Sequence, residues 1–158
     1  MSSESVSVSS ETQPILLLLS GPNLQLFGER EPEIYGSETL AERVARSLRA
    51  AEGLGWRLEH VQSDSESDLV NAVHSARRRA AAIVVNGGAL SHYGWSLHDA
   101  LASFEGVIVE LHVSNPMSRE KWRSDSVITP VADGSVAGFG GLGYELAVEA
   151  AIRLVREA

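Results

Sequence analysis

From Pro14 onward the chain alternates short apolar runs with stretches in which apolar residues recur every three or four positions. Residues 15–19, Ile-Leu-Leu-Leu-Leu, form an unbroken apolar run, as expected of a parallel strand buried on both faces. A long loop over 20–36 follows. Ser37 is then placed to cap a helix from about Glu38, with Leu40, Val44 and Leu48 on one face and Arg43, Arg46 and Arg49 largely on others. Gly53 and Gly55 end that helix, and 56–62 reads as an edge strand. Ser63 or Ser65 caps the next helix, whose inner stripe is Leu69, Val70, Val73 and Ala76. Residues 81–85 are a third strand ending in Asn86-Gly87-Gly88, and a helix spans about 94–103. A fourth strand covers 107–113, and a short helical piece covers 118–124. A fifth strand is expected at 127–131. A Gly-rich stretch over 134–143 leads into a last amphipathic helix, 144–156.

Five strands alternating with helices imply an α/β fold: a doubly wound, three-layer αβα sandwich of flavodoxin-like type. Its parallel sheet would have the order 2-1-3-4-5. In such sheets ligands bind outside the carboxyl ends of the strands, at the switch between strands one and three. Here those ends carry Gly21-Pro22-Asn23, Asn86-Gly87-Gly88 and His112-Val113-Ser114-Asn115.

Composition narrows the function. The 158 residues carry a formal net charge of −8, which argues against a broad nucleic-acid surface but leaves room for a small anionic ligand held by a few arginines. No cysteine is present, which removes disulfides, thiolate chemistry and cysteine zinc sites. No apolar run is long enough to span a bilayer. Residues 1–13 are Ser-rich and acidic without the basic and apolar regions of a signal peptide. They read as a disordered tail before a single catalytic domain, 14–158, and the expected location is the cytoplasm.

The loop over 20–36 is too rich in Leu, Phe and Tyr to be a linker, so it reads as functional. Arg30 and Tyr35 are its reactive candidates, because a guanidinium held close to a phenol favours the phenolate. The plainer alternative has Tyr35 packed under the loop and Arg30 paired with Glu29 or Glu31. On strand four, Glu110, His112 and Ser114 alternate and so project from one face. Glu110 can then fix the tautomer of His112, although a core histidine satisfied by a neighbouring glutamate has the same pattern. His92 stands at the expected start of a helix, with Asp99 two turns further on. Arg119 and Arg123, spaced i,i+4, suit forked hydrogen bonds to an oxyanion, or simply a solvated face with Glu120. A phosphate-binding Gly-Lys loop, a nucleophile elbow and a close histidine metal spacing are all missing.

These residues carry a resemblance. GPNL at 21–24, Gly28, Arg30-Glu31-Pro32, Tyr35-Gly36 and the run 110–115 with Arg119 and Arg123 resemble type II 3-dehydroquinate dehydratases (type II dehydroquinases), along about 14–157. Gln62 to Glu66 and Gly140 to Tyr144 are similar too. The resemblance implies anti elimination of water from 3-dehydroquinate through an enolate, in the shikimate pathway of aromatic amino-acid biosynthesis, with no metal and no cofactor. It implies Tyr35 as the base, Arg30 as its activator, and Asn23 as the group that orients a water on the enolate. His112, held by Glu110, becomes the acid. Val113 and Ser114 would bind the substrate carboxylate, and Asn86, His92 and Arg123 its hydroxyls. Arg119 would be a supporting group. The implied assembly is a homododecamer built from trimers, in which Asp99 reaches an adjacent subunit's site.

The chain departs from the family's usual pattern at Ser20, Gly87, Ser91, His98 and Met117, and in the bulky segment Tyr93-Gly94-Trp95-Ser96. Two other readings stay open on sequence. One is the same elimination on an amino analogue or in quinate catabolism, with Tyr93 and Trp95 re-lining the pocket. The other is a catalytically silent relative acting as a binding protein, which the joint presence of Arg30, Tyr35, Glu110 and His112 speaks against.

Overall fold

Strand β1, Ile15–Ser20, explains the unbroken apolar run: its alternate residues feed two separate cores. In the computed structural model, which describes residues 13–158, Leu16 and Leu18 pack on one side of the sheet and Leu17 and Leu19 on the other. The 1–13 tail, Gln13 apart, lies outside the described residues. β3, Ala82–Asn86, divides in the same way, with Ala82 and Val84 opposed to Ile83 and Val85. With β2, Arg57–Gln62, β4, Val107–His112, and β5, Gly134–Ala137, these strands form one parallel sheet of order β2-β1-β3-β4-β5. Helices α2, Leu40–Gly53, and α5, Leu142–Glu157, cover the first face, while α3, Glu66–Ala76, and α4, Trp95–Ala102, cover the second. This is the expected flavodoxin-like layering.

Several expectations need correction. The fifth strand is not at 127–131. Val127 and Ile128 are buried, but in the core under α3 and α4, and the chain turns there as a 3-10 segment, Thr129–Val131. The Ser126 hydroxyl accepts the Ile128 and Thr129 backbone N–H groups, and Pro130 donates none. The strand lies instead in the Gly-rich stretch, as β5. The α2 cap is Thr39, not Ser37: its hydroxyl accepts the Glu42 N–H while the Glu42 carboxylate accepts its own, a reciprocal capping box. The buried face of α2 is Leu40, Arg43, Ser47 and Ala51, so Arg43 points inward and Leu48 outward.

The expected helical piece over 118–124 is two 3-10 turns, Pro116–Ser118 and Lys121–Ser124, with Arg119 extended between them. The loop over 20–36 is also ordered. It holds a 3-10 turn, Leu24–Leu26, and one helical turn, α1, Pro32–Tyr35, entered through Glu31 in a left-handed conformation. Its foot is pressed against the end of β3: the Gly21 N–H donates to the Asn86 carbonyl at 2.8 Å, and a Cβ on Gly21 would sit 2.3 Å from the Gly87 oxygen. Only glycine permits that approach. Among the described residues no helix is long and apolar enough to cross a membrane.

Candidate active site

A crevice opens at the carboxyl ends of β1, β3 and β4, the place where ligands bind in doubly wound sheets. Its walls bring together Asn23, Arg30 and Tyr35 from the loop, and Asn86 from the end of β3. His92, His112, Val113, Ser114 and Arg123 complete them. Two of the expected residues stand elsewhere. Glu110 lies behind His112, 2% exposed, and Asp99 points into solvent from α4 with its side chain 86% exposed, 3.9 Å from His98. Tyr93 and Trp95 are 59% and 63% exposed and do not line the crevice, so the expected re-lining does not occur within this chain.

Tyr35 is buried beneath the loop between two cations. The guanidinium carbons of Arg30 and Arg119 each lie 5.0 Å from its ring centroid. The plainer reading of the loop is therefore also satisfied in part, since Arg30 reaches Glu31 at 3.7 Å. Arg119, expected only as support, lines the crevice, and its Nη1 donates to the Ser114 hydroxyl at 3.0 Å. It reaches the site from extended backbone, not from a helical face shared with Arg123. Arg123 comes from the second 3-10 turn, stacked 4.1 Å over Trp122 and bonded to Glu120 at 2.7 Å.

The two histidines are fixed differently. His112 Nε2 meets Glu110 Oε2 at 2.7 Å, which leaves Nδ1 free for a ligand. Burial alone would push the Glu110 carboxyl up, but hydrogen bonds from His112, Ser126 and Thr129 and the nearby imidazole outweigh it and hold it below the usual carboxylate range. His92 is not at a helix start. It ends the 3-10 segment Gly88–His92, and its Nδ1–H donates to the Asp125 carbonyl at 2.6 Å. Its ring lies face to face with His112 at 6.3 Å and edge-on to Trp122 at 5.2 Å.

Supporting residues escaped the sequence reading. Asp64, after β2, accepts the Asn23 N–H at 2.9 Å and both Gln25 contacts, and those bonds, the Asn23 one first, hold it below its ordinary value. Asn23 thereby keeps its left-handed conformation, φ 68°. Asn86 Nδ2 donates to the Tyr144 hydroxyl at 3.2 Å, which burial pushes up to about 12 and so keeps protonated. The only signals were the segments 62–66 and 140–144, which carry no obvious reactivity.

A base candidate flanked by guanidiniums and an acid candidate backed by a carboxylate, in one polar crevice at the switch point of a parallel sheet, suit acid–base chemistry on a small molecule in a flavodoxin-like fold. Residues 14–152 match the Dehydroquinase class II family, and the chain belongs to that family and is a hydro-lyase. It is 45% identical to the 3-dehydroquinate dehydratase of Bacillus licheniformis over 85% of this chain and 93% of that one. The 3-dehydroquinate dehydratase of Bacillus subtilis is 44% identical, over 85% and 91%. Among solved structures, the type II dehydroquinase from Propionibacterium acnes superposes with a TM-score of 0.85 at 37% identity, covering 91% of this chain and 97% of that one. The enzyme from Butyrivibrio crossotus gives 0.86 at 33%, covering 89% and 98%.

Proposed function

We propose that the chain dehydrates 3-dehydroquinate to 3-dehydroshikimate, the dehydration step of the shikimate pathway, by anti elimination through an enolate. Tyr35, as phenolate, takes the proton alpha to the ketone, and the freed electron pair moves onto the ketone oxygen. Asn23 orients a water against that enolate oxygen, an oxyanion-hole role. The enolate then re-forms the ketone, the carbon–oxygen bond to the departing hydroxyl breaks, and His112 supplies the proton that makes it water. Arg30 and Arg119 favour the phenolate by charge. Ser114 and the Val113 N–H hold the carboxylate, with Asn86, His92 and Arg123 on the ring hydroxyls.

The observation that carries this reading is the pairing of Tyr35 between two guanidiniums with His112 on Glu110, in the same crevice. An elimination needs those two groups and no redox partner. An amino analogue loses its feature, because Tyr93 and Trp95 do not line the crevice within this chain. A silent binding protein has no use for the Glu110 network. We also take 14–158 as one catalytic domain, cytoplasmic, assembling as a dodecamer of trimers in which the exposed Asp99 serves a neighbouring site. Replacing Tyr35 by Phe should lower turnover of 3-dehydroquinate about a thousandfold while product still binds. Near-native turnover in that variant removes Tyr35 as the base.

A further inference from the structure

Arg43 is a buried cation with no ion-pair partner among the described residues. It lies on the inner face of α2, 1% exposed. One guanidinium nitrogen, Nη2, donates to the Tyr35 carbonyl, and the group stacks 4.1 Å over the ring of Phe27. Phe27 in turn packs against Tyr35, with ring centroids 5.9 Å apart. Its Nε and Nη1 have no hydrogen-bond partner. Among the described residues it makes no ion pair, whereas the three arginines that line the crevice each have a carboxylate. Arg30 has Glu31 at 3.7 Å, and Arg119 and Arg123 share Glu120 at 3.8 and 2.7 Å.

For stability alone this arrangement is a poor choice. A charge without a counter-ion is costly to bury, and apolar residues of similar volume often replace buried ions without loss. Burial pulls the Arg43 pKa below its ordinary value, and Tyr144, Glu38 and Glu42 only partly pull it back. Arginine nonetheless stays protonated in proteins. The charge therefore persists behind Tyr35, screened from water. Its field also reaches Tyr144, the residue that holds Asn86.

We propose that Arg43 is a positioning residue of the elimination. Its hydrogen bond to the Tyr35 carbonyl, and its stacking on the Phe27 ring that packs against Tyr35, fix the phenol at the root of the loop. The inference rests on Tyr35 being the base.

The test compares Arg43→Met, Arg43→Gln and Arg43→Lys with the native protein and with Tyr35→Phe, on 3-dehydroquinate. Met and Gln should lower kcat about tenfold or more while KM moves less than about threefold. Their melting temperatures should hold or rise, the opposite of what a purely structural arginine would give. Lys, which keeps a charged donor for the Tyr35 carbonyl, should recover most of kcat. A folded Met or Gln variant with kcat within about twofold of native overturns the proposal, as does a loss seen only in KM. So does failure of both neutral variants to fold, since Arg43 would then be structural. The two claims separate cleanly: active native enzyme with a dead Tyr35→Phe and indifferent Arg43 variants defeats this inference alone, while an active Tyr35→Phe defeats the base assignment.

Discussion

His112 Nε2 and Glu110 Oε2 are 2.7 Å apart, and the same carboxylate also takes the hydroxyls of Ser126 and Thr129, each at 2.6 Å. Three hydrogen bonds occupy three of the roughly four acceptor directions of this buried group, and one of them clamps the ring of His112 through Nε2. Glu110→Gln would turn an amide N–H toward donors and lose the charge that supports an imidazolium. We expect kcat to fall about a hundredfold with little change in KM. The carboxyl is held low in the fold, so its contribution to stability is whole above the ordinary carboxylate pKa and is lost as pH falls through its own lower value. The native-minus-variant difference in urea midpoint should accordingly shrink in acid. A difference that grows there contradicts the account.

Asp64 is the anchor of the loop's foot, and its role is geometric. Asp64→Ala removes the bonds that hold Asn23 and Gln25. The expected result is about a tenfold loss in kcat/KM with little change in melting temperature, because the residue is exposed. A large thermal loss with intact turnover reverses the assignment.

His60 on β2 meets the Ser20 hydroxyl at 2.8 Å, and burial lowers its pKa. Below the ordinary imidazole value the unfolded chain binds a proton that the fold resists, so stability drops as pH falls through about 6.5. His60→Gln should flatten that part of the urea-midpoint profile between pH 8 and about 5.5. An unchanged slope removes His60 from the account.

What the sequence made legible, and what it hid, follows from burial. Strands β1 and β3 are buried on both faces and announce themselves by apolar runs alone. β5 is a short edge strand, Gly-Ser-Val-Ala, whose one partly buried valine gives almost no pattern. Val127 and Ile128 gave a stronger signal, yet they belong to a turn plugged into the second core. On α2 the helical period holds, and Leu40 and Val44 do face the core, but the buried face continues through Arg43, Ser47 and Ala51 and leaves Leu48 outside. A charged residue reads as exposed, so the stripe was drawn through Leu40, Val44 and Leu48. The small residues Ser47 and Ala51 let the helix sit close to the sheet and carry Arg43 inward. At the site, reactive side chains on strand ends were readable because strand ends converge. The partners that orient them, Asp64, Ser126, Thr129 and Tyr144, arrive from distant loops and helices with ordinary polar signatures.

The most direct measurement is to mix the purified native protein with 3-dehydroquinate and follow ultraviolet absorbance. Elimination of water conjugates the ketone with a new carbon–carbon double bond, so the absorbance should rise steadily and in proportion to enzyme. A flat trace at micromolar enzyme contradicts the proposed dehydration.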